Sequence, residues 1–225
     1  MKQPKITVVG LGPGRFGLIT LESWQTMQAA EHLVLRTRIH PTVAEIEKRG
    51  LTFSSYDGFY EEAPDFETLY RHIAEDLLRR ATEQGDLVYA VPGSPLFAER
   101  TVVLLRELAK ETDTAVDILP GMSFVEVMYT RLCIDPIEGL TILDAEDVST
   151  LKERPAQSLV ITQVYDPIIA SDTKLMLMEF YPDEYEVTYI HNLALPDESI
   201  RKIPLYELDR QKDVDHLTSL FVPAQ

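Results

Sequence analysis

Three short loops rich in glycine and proline constrain what this chain can fold into more than any other feature of its sequence. They occupy residues 10–14, 92–95 and 120–123, and they follow apolar, strand-like segments at residues 6–9, 87–91 and 116–119. In an open α/β sheet, the loops after the strands line the crevice in which ligands bind. Glycine in such a loop lets a ligand approach the backbone closely. We therefore expect the three loops to meet at one small-molecule site.

The composition of the chain limits which partners and which cellular location we expect. The 225 residues carry a formal net charge of −16, and an acidic surface repels the phosphates of nucleic acid, so we expect no nucleic acid partner. No apolar run is long enough to span a membrane, and the first residues lack the apolar core of a signal peptide. The single cysteine, Cys133, fits a reducing compartment. We therefore expect a cytoplasmic protein without a membrane partner.

Segments typical of strands and helices alternate through the first half of the chain. Residues 69, 73, 77 and 81 are apolar and fall on one face of an expected helix over 65–83, which Gly85 ends. Further strands are expected at 32–35 and 115–119, and further helices at 21–30, 41–49 and 101–110. This alternation predicts a parallel sheet covered by helices.

The pattern changes after Pro120. We expect helices at 121–132 and 171–180, and strands at 140–143, 158–164, 186–190 and 200–208. The turn at 196–198 predicts an antiparallel hairpin between the last two strands and hence a mixed sheet. The expected fold class is α/β with two α/β domains, a parallel-sheet domain over 1–119 and a mixed-sheet domain over 120–225, with the ligand cleft between them.

The first loop contains a partial match to a dinucleotide-binding motif, which would indicate an NADP site. Residues 12–17 match the fingerprint G-x-G-x-x-G, and two arginines after the second strand lie where the 2′-phosphate of NADP would bind. However, Gly10 is the glycine that closes the strand, and counting from it puts Arg15 where the third glycine belongs. Pro13 also removes an N–H group from a loop that should donate such groups to phosphate. An NADP-dependent oxidoreductase is therefore the third of three hypotheses.

The order and spacing of the loops resemble those of the S-adenosylmethionine-dependent tetrapyrrole methylases. The sequence VGLGPG at 9–14 looks like the amino-terminal signature of that family. Residues 91–97 resemble its G-D-P loop, and residues 119–124 resemble its P-G-x-S loop. The resemblance covers nearly the whole chain, and it implies a methyltransferase with the two-domain fold.

The resemblance also implies S-adenosyl-L-methionine as the cofactor, recognised mainly by backbone groups of the second and third loops. Methyl transfer needs proximity and orientation more than a strong acid or base, so no catalytic residue is assigned. The expected cofactor-binding residues are Pro13, Gly93, Ser94, Leu96, Phe97, Ser123 and Phe124. The expected acceptor-binding residues are Gly12, Gly14 and Arg15. The implied partners are a small-molecule acceptor such as a tetrapyrrole and a second copy of the chain in a homodimer.

Two residues depart from the family pattern. Ser94 stands where the family has the aspartate of its G-D-P loop, and Arg15 stands where an acidic residue often follows G-P-G. The tract 59–70 is similar to a branch in which a methylase-like domain precedes a nucleotide pyrophosphohydrolase domain of the MazG type. The clustered E-x-x-E carboxylates of that hydrolase are missing from this sequence, so we expect no nucleotide hydrolysis. The runner-up hypothesis is a non-catalytic module that binds S-adenosylmethionine and regulates such a hydrolase.

The remaining candidate residues have simpler interpretations. The five histidines show no metal-ligand spacing, so we expect no metal site. Cys133 is expected to be a small core residue on a helix. The aromatic, acidic tract 53–60 is expected to be a loop that either rims an acceptor pocket or only anchors itself. The candidate contacts for an acceptor that carries carboxylates are Arg15, Arg36, Arg38 and Arg131.

Overall fold

The computed structural model describes residues 3–224, without the side chain of Glu62. The chain forms two compact units, Met1–Glu126 and Val127–Gln225, and each contains one five-stranded sheet. The boundary predicted between residues 119 and 120 lies shortly before this division. No helix in the described range is both long enough and apolar enough to cross a membrane.

The first unit is built on a parallel sheet, as the alternation of segments predicts. Its strands are β1 (Lys5–Gly10), β2 (Leu33–Leu35), β3 (Ser54–Ser55), β4 (Leu87–Val91) and β5 (Ala115–Ile118), in the spatial order β3-β2-β4-β1-β5. Every neighbouring pair is parallel, so the carboxyl ends of all these strands lie at one edge of the sheet. Because β1 lies between β4 and β5, the first loop lies between the second and the third.

Helices connect these strands and cover both faces of the sheet. They are α1 (Leu21–Ala29), α2 (Val43–Lys48), α3 (Asp57–Glu62), α4 (Phe66–Gln84) and α5 (Arg100–Ala109). A further helix, α6 (Phe124–Leu132), follows β5 and includes the division between the two units. α4 and α5 pack on one face, where side chains of β1, β2 and β4 join them in a buried core. α1 and α2 pack in a second core with other side chains of the same strands. β4 is buried along its whole length, which explains its continuous apolar sequence.

The bounds of α4 follow from its capping residues. Asp65 caps the first turn by accepting a hydrogen bond of 2.7 Å from the Thr68 N–H group. The apolar residues at 69, 73, 77 and 81 are all buried, as their spacing predicts. Gly85 ends the helix with a φ of +93°, which L side chains rarely adopt. The predicted helix and its glycine stop are confirmed.

The second unit contains the mixed sheet that the hairpin predicts. Its strands are β6 (Leu140–Asp144), β7 (Ser158–Thr162), β8 (Glu186–His191), β9 (Ser199–Pro204) and β10 (Thr218–Val222), in the order β6-β7-β10-β8-β9. β6 and β7 are parallel, whereas β10 is antiparallel to both of its neighbours. β8 and β9 form the predicted antiparallel hairpin. One helix, α7 (Pro167–Met178), packs into the core of this unit.

Several predicted element bounds are wrong because side chains set the ends of the helices. α7 begins at Pro167 rather than at residue 171, since the Asp166 side chain caps the first turn by accepting two backbone N–H groups. α6 begins at Phe124 rather than at residue 121, since Ser123 caps it. The strand expected over 200–208 ends at Pro204, where a 3₁₀ turn begins.

Three expectations about whole segments are wrong. The tract 53–60 is not a loop, because it contains β3 and most of α3. Cys133 is not a core residue on a helix: it follows the end of α6, is exposed and has a φ of +54°. The strand β10 was not expected, although all of its residues are buried. Its short apolar run follows a polar stretch without an alternating pattern, so periodicity does not reveal it.

Candidate functional site

The three glycine–proline loops meet at the carboxyl edge of the first sheet. Gly12 of the first loop and Gly93 of the second loop form an antiparallel bridge. The Gly12 N–H group donates to the Gly93 carbonyl oxygen at 3.2 Å, and the Gly93 N–H group donates to the Gly12 carbonyl oxygen at 3.0 Å. These two hydrogen bonds tie the loop after β1 to the loop after β4.

Glycine permits the close packing of all three loops. A β-carbon on Gly10 would lie 2.3 Å from the Gly93 carbonyl oxygen and 3.4 Å from the Gly121 Cα atom. A β-carbon on Gly121 would lie 2.7 Å from Pro95 Cδ and 3.2 Å from Ser94 Cα. Neither glycine can be replaced without displacing a neighbouring loop, so the predicted convergence of the loops is confirmed.

Gly12 and Gly93 differ in their surroundings. Both have a positive φ, +72° for Gly12 and +65° for Gly93. A β-carbon on Gly12 would lie 2.6 Å from the Leu18 carbonyl oxygen, whereas one on Gly93 would meet no atom within 4 Å. Gly12, an expected acceptor-binding residue, is buried. Its N–H and carbonyl groups both form hydrogen bonds with Gly93. Gly93 leaves open space beside the backbone, which a ligand can fill.

The other expected residues of the second loop form a partly apolar surface. Ser94 is partly exposed, and its carbonyl oxygen accepts a hydrogen bond from the Phe97 N–H group at 3.1 Å. Leu96 keeps 57% of its surface exposed. The Phe97 ring meets the Phe124 ring edge to face with centroids 5.3 Å apart, which links the second loop to the start of α6.

Ser123 of the third loop caps α6. Its hydroxyl oxygen accepts a hydrogen bond from the Val125 N–H group at 3.2 Å, and its own N–H group donates to Glu126 Oε2 at 2.8 Å. This is the S-x-x-E capping box. The Ser123 side chain is buried, so its hydroxyl group is held within the helix cap.

The first loop presents different groups. Pro13 is half-buried, Gly14 is buried and Arg15 is exposed. Arg15 lies at the start of a short 3₁₀ turn, Phe16–Leu18, and it has no ion-pair partner among residues 3–224. Its guanidinium group is therefore available to an anionic group of a ligand.

His40 lies beside the first loop, which the spacing of the histidines does not predict. Its Nδ1 atom lies 2.8 Å from Thr42 Oγ1, and the ring also forms a hydrogen bond to the backbone of Gly12. Burial lowers the pKa of His40 to about 4, and the hydrogen bond to Gly12 opposes this shift only in part. His40 is therefore neutral at pH 7 and supports the loop. The signal that points to it is its position after β2, at the same edge of the sheet.

A buried ion pair also lies at this edge. Arg36 directly follows β2, and its Nη1 atom lies 2.6 Å from Glu99 Oε2. Its Nε–H group donates to the Tyr60 hydroxyl oxygen at 2.9 Å. Burial disfavours the charged guanidinium group, but Glu99 and Tyr60 outweigh burial and raise the pKa of Arg36. The sequence does not indicate this pairing, because Arg36 and Glu99 are 63 residues apart.

These groups suit the binding and orientation of ligands. In the part of the chain that the structure describes, no three His, Cys, Asp or Glu side chains are grouped to hold a metal ion. The edge instead offers close backbone approach at Gly93, the apolar surface of Leu96 and Phe97, and the arginines Arg15 and Arg36. Such a set can hold a ligand in a fixed position without metal ligands.

The sequence matches a known family over most of its length. Residues 5–209 match the family model of the Tetrapyrrole (Corrin/Porphyrin) Methylases. The uncharacterized protein YabN of Bacillus subtilis (strain 168) is 41% identical over 219 residues, which are 97% of this chain and 45% of that protein. The chain therefore spans less than half the length of this curated relative.

Solved structures share the fold at low sequence identity. The methyltransferase CobJ is 18% identical with a TM-score of 0.77, and the match covers 98% of this chain and 94% of that chain. Uroporphyrin-III C-methyl transferase from Thermus thermophilus, complexed with S-adenyl homocysteine, is 17% identical with a TM-score of 0.72, and the match covers 97% of this chain and 92% of that chain. With the match to the family model over residues 5–209, the chain belongs to the tetrapyrrole (corrin/porphyrin) methylase family.

Proposed function

We propose that this chain is an S-adenosylmethionine-dependent methyltransferase that acts on a small-molecule acceptor such as a tetrapyrrole. The observation that carries the proposal is the open space beside Gly93, at the point where three loops of the first unit are held together. The bound S-adenyl homocysteine of one structural relative supports this cofactor.

The second loop supplies the main contacts with the cofactor in this proposal. Because Gly93 has no side chain and faces open space, a ligand can lie against its backbone. The exposed Leu96 and the ring of Phe97, fixed by Phe124, offer an apolar surface for the adenine group. The remaining contacts that we propose are those with Pro13, Ser94 and Ser123.

The first loop faces the acceptor in this proposal. Bound S-adenosylmethionine supplies an electrophilic methyl group on a positively charged sulfur atom. The protein then accelerates transfer by holding the acceptor in line with that group. Arg15 contacts an anionic part of the acceptor beside Gly14, while the hydrogen bonds between Gly12 and Gly93 keep the first two loops at a fixed distance.

Transfer of a labelled methyl group tests the proposal. The full chain is incubated with S-adenosylmethionine labelled in its methyl group and with a panel of tetrapyrroles, peptides and small metabolites. We expect label to enter a tetrapyrrole and S-adenosylhomocysteine to form in equal amount. Label in no tetrapyrrole, with a folded protein, contradicts the proposed activity.

A second candidate function is a non-catalytic module that binds S-adenosylmethionine and regulates an attached nucleotide pyrophosphohydrolase domain of the MazG type. Ser94 favours this candidate, because it replaces the carboxylate of the family loop. Binding of S-adenosylmethionine without transfer to any acceptor of the panel supports the module over the enzyme. Both candidates use the same scaffold, because the fold alone does not determine the chemistry.

We also propose that the protein is a homodimer in the cytoplasm. The family resemblance supports the dimer, and the single cysteine supports a reducing compartment. Light scattering at tens of micromolar protein should give twice the mass of the chain. A monomer at that concentration contradicts the dimer.

A further inference from the structure

The ion pair between Arg36 and Glu99 is buried at one end and partly accessible at the other. Glu99 keeps only 2% of its side-chain surface exposed, whereas Arg36 keeps 21%. The Arg36 N–H group also donates to the Ala90 carbonyl oxygen at 2.8 Å, which fixes the backbone beside β4. The pair therefore lies at the end of β4, next to the second loop, with its arginine partly accessible.

Arg36 is held rigidly but keeps donors for a ligand. Its guanidinium group lies 5.6 Å from the centroid of the Tyr70 ring, and its Nε–H group donates to the Tyr60 hydroxyl oxygen. Because the Tyr60 oxygen accepts this hydrogen bond, its own O–H group remains free to donate. Within residues 3–224, the Nη2 atom of Arg36 makes no hydrogen bond. Arg36 and Tyr60 therefore form a pair of oriented donors.

The buried end of the pair is incompletely satisfied. One atom of the pair, Glu99 Oε1, is buried without a hydrogen-bond partner in the described part of the chain. A buried ion pair is a weak contributor to stability, because the loss of hydration offsets the attraction between its two charges. Because stability does not explain a charge pair at this strand edge, we take the pair as a sign of a role in ligand binding.

The charges of Arg36 and Glu99 determine whether a neutral or an anionic group of a ligand fits beside them. Glu99 lies 2.6 Å from Arg36 and neutralises its charge, so the ion pair itself has no net charge. A carboxylate placed against Arg36 would also face the Glu99 carboxylate in a poorly solvated environment, where like charges repel strongly. A neutral carbonyl oxygen accepts the same hydrogen bonds without this repulsion.

We propose that Arg36 and Tyr60 donate hydrogen bonds to a neutral carbonyl oxygen of the methyl acceptor, specifically an amide oxygen, and that Glu99 disfavours a carboxylate at the same point. This inference rests on the proposed function, since it defines the acceptor of that reaction. It assigns to this chain an acceptor whose side groups are mainly amides rather than a polycarboxylate.

Two corrins with the same ring test the selectivity. Dicyanocobyric acid carries amide side chains and one carboxylate, whereas dicyanocobyrinic acid carries carboxylates throughout. Each is titrated into the full chain saturated with S-adenosylhomocysteine, and binding is measured by calorimetry. We expect the amide form to bind at least about tenfold more tightly. Equal affinity, preference for the carboxylate form or binding of neither ring overturns the inference.

Three variants assign the selectivity to these residues. Tyr60→Phe and Arg36→Lys should each weaken the amide form about tenfold, and Tyr60→Phe is the more conservative change if Arg36→Lys does not fold. Glu99→Gln should strengthen the carboxylate form about tenfold. Glu107→Gln is the matched control, because it removes an exposed charge from α5 and should leave both affinities unchanged. Unchanged affinities in Tyr60→Phe and Glu99→Gln overturn the inference.

The titration with S-adenosylhomocysteine separates this inference from the proposed function. If the protein binds S-adenosylhomocysteine but does not prefer the amide ring, the inference fails and the cofactor assignment stands. If S-adenosylhomocysteine itself does not bind, the proposed function fails.

Discussion

Gly12 and Gly93 exchange two backbone hydrogen bonds, of 3.2 and 3.0 Å, and so join the loops that follow β1 and β4. Both residues have a positive φ, but only Gly93 faces open space. The first loop is therefore a rigid support, and the second loop carries the accessible backbone.

Gly12→Ala should destabilise the fold. Its β-carbon would lie 2.6 Å from the Leu18 carbonyl oxygen, and its positive φ alone costs about 1–2 kcal/mol. We expect the free energy of unfolding, measured with urea, to fall by more than about 2 kcal/mol. Gly50→Ala is the control, because Gly50 has a φ of +82° and no atom within 4 Å of a β-carbon. Equal losses in the two variants would show that the contact with Leu18 is unimportant.

Ser94→Asp should raise the affinity for S-adenosylmethionine. The substitution restores the carboxylate of the family loop at a partly exposed position. Ser94→Asn is the matched control, because it has the shape of aspartate without the charge. Calorimetry should show tighter binding for Ser94→Asp alone. A lower affinity in Ser94→Asp would mean that the loop is adapted to serine.

Arg15→Ala should lower the rate of methyl transfer and leave the affinity for S-adenosylmethionine nearly unchanged. The lost charge-assisted hydrogen bond to the acceptor is worth about 1.5–3 kcal/mol, which corresponds to roughly a tenfold to hundredfold loss. Arg106→Ala, which removes an exposed arginine from α5, is the control and should keep the full rate. If cofactor affinity and rate fall together in Arg15→Ala, Arg15 belongs to the cofactor site or to the fold.

Acidification should destabilise the protein through His40. Its pKa is about 4 in the folded chain against 6.5 in the unfolded chain, so the unfolded chain binds the proton first as the pH falls. The stability contributed by neutral His40 is complete above pH 6.5 and is lost toward pH 4, by up to about 3 kcal/mol. Urea unfolding at pH 7 and pH 5 measures this loss.

Two variants isolate the contribution of His40. His40→Gln should lose less stability between pH 7 and pH 5 than the wild type, because it has no imidazole to protonate. His72→Gln, which replaces an exposed histidine of α4, should keep the wild-type pH dependence. A wild-type pH dependence in His40→Gln would assign the acid sensitivity to other groups.

Local patterns in the sequence predict most strands and helices of the fold. The apolar runs before the three loops become parallel strands, of which β1 and β4 are largely buried. The four-residue spacing in α4 becomes a buried helix face. These features depend on neighbouring residues alone, so a single sequence contains them. α3 and β10 are not predicted, because a glycine within acidic residues and a short apolar run are each compatible with several structures.

The site is predicted less completely than the fold. Motif order predicts that the loops converge, because the carboxyl ends of parallel strands share one edge. The pairing of Arg36 with Glu99 and the contact of His40 with the first loop depend on residues far apart in the chain, which no local pattern links. Ser123 stays a predicted cofactor contact, and the structure adds that its hydroxyl group caps α6, as the S-x-x-E sequence at 123–126 also indicates.

Calorimetric titration of S-adenosylmethionine into the wild type and Gly93→Val is the most direct test of the account. We predict that the wild type binds S-adenosylmethionine and S-adenosylhomocysteine, that it does not bind NADPH, and that folded Gly93→Val binds none of them, because the valine side chain fills the open space. Gly50→Val is the control for positive φ and should bind as the wild type does. Unchanged affinity in a folded Gly93→Val protein, or NADPH as the ligand of the wild type, would contradict the central claim.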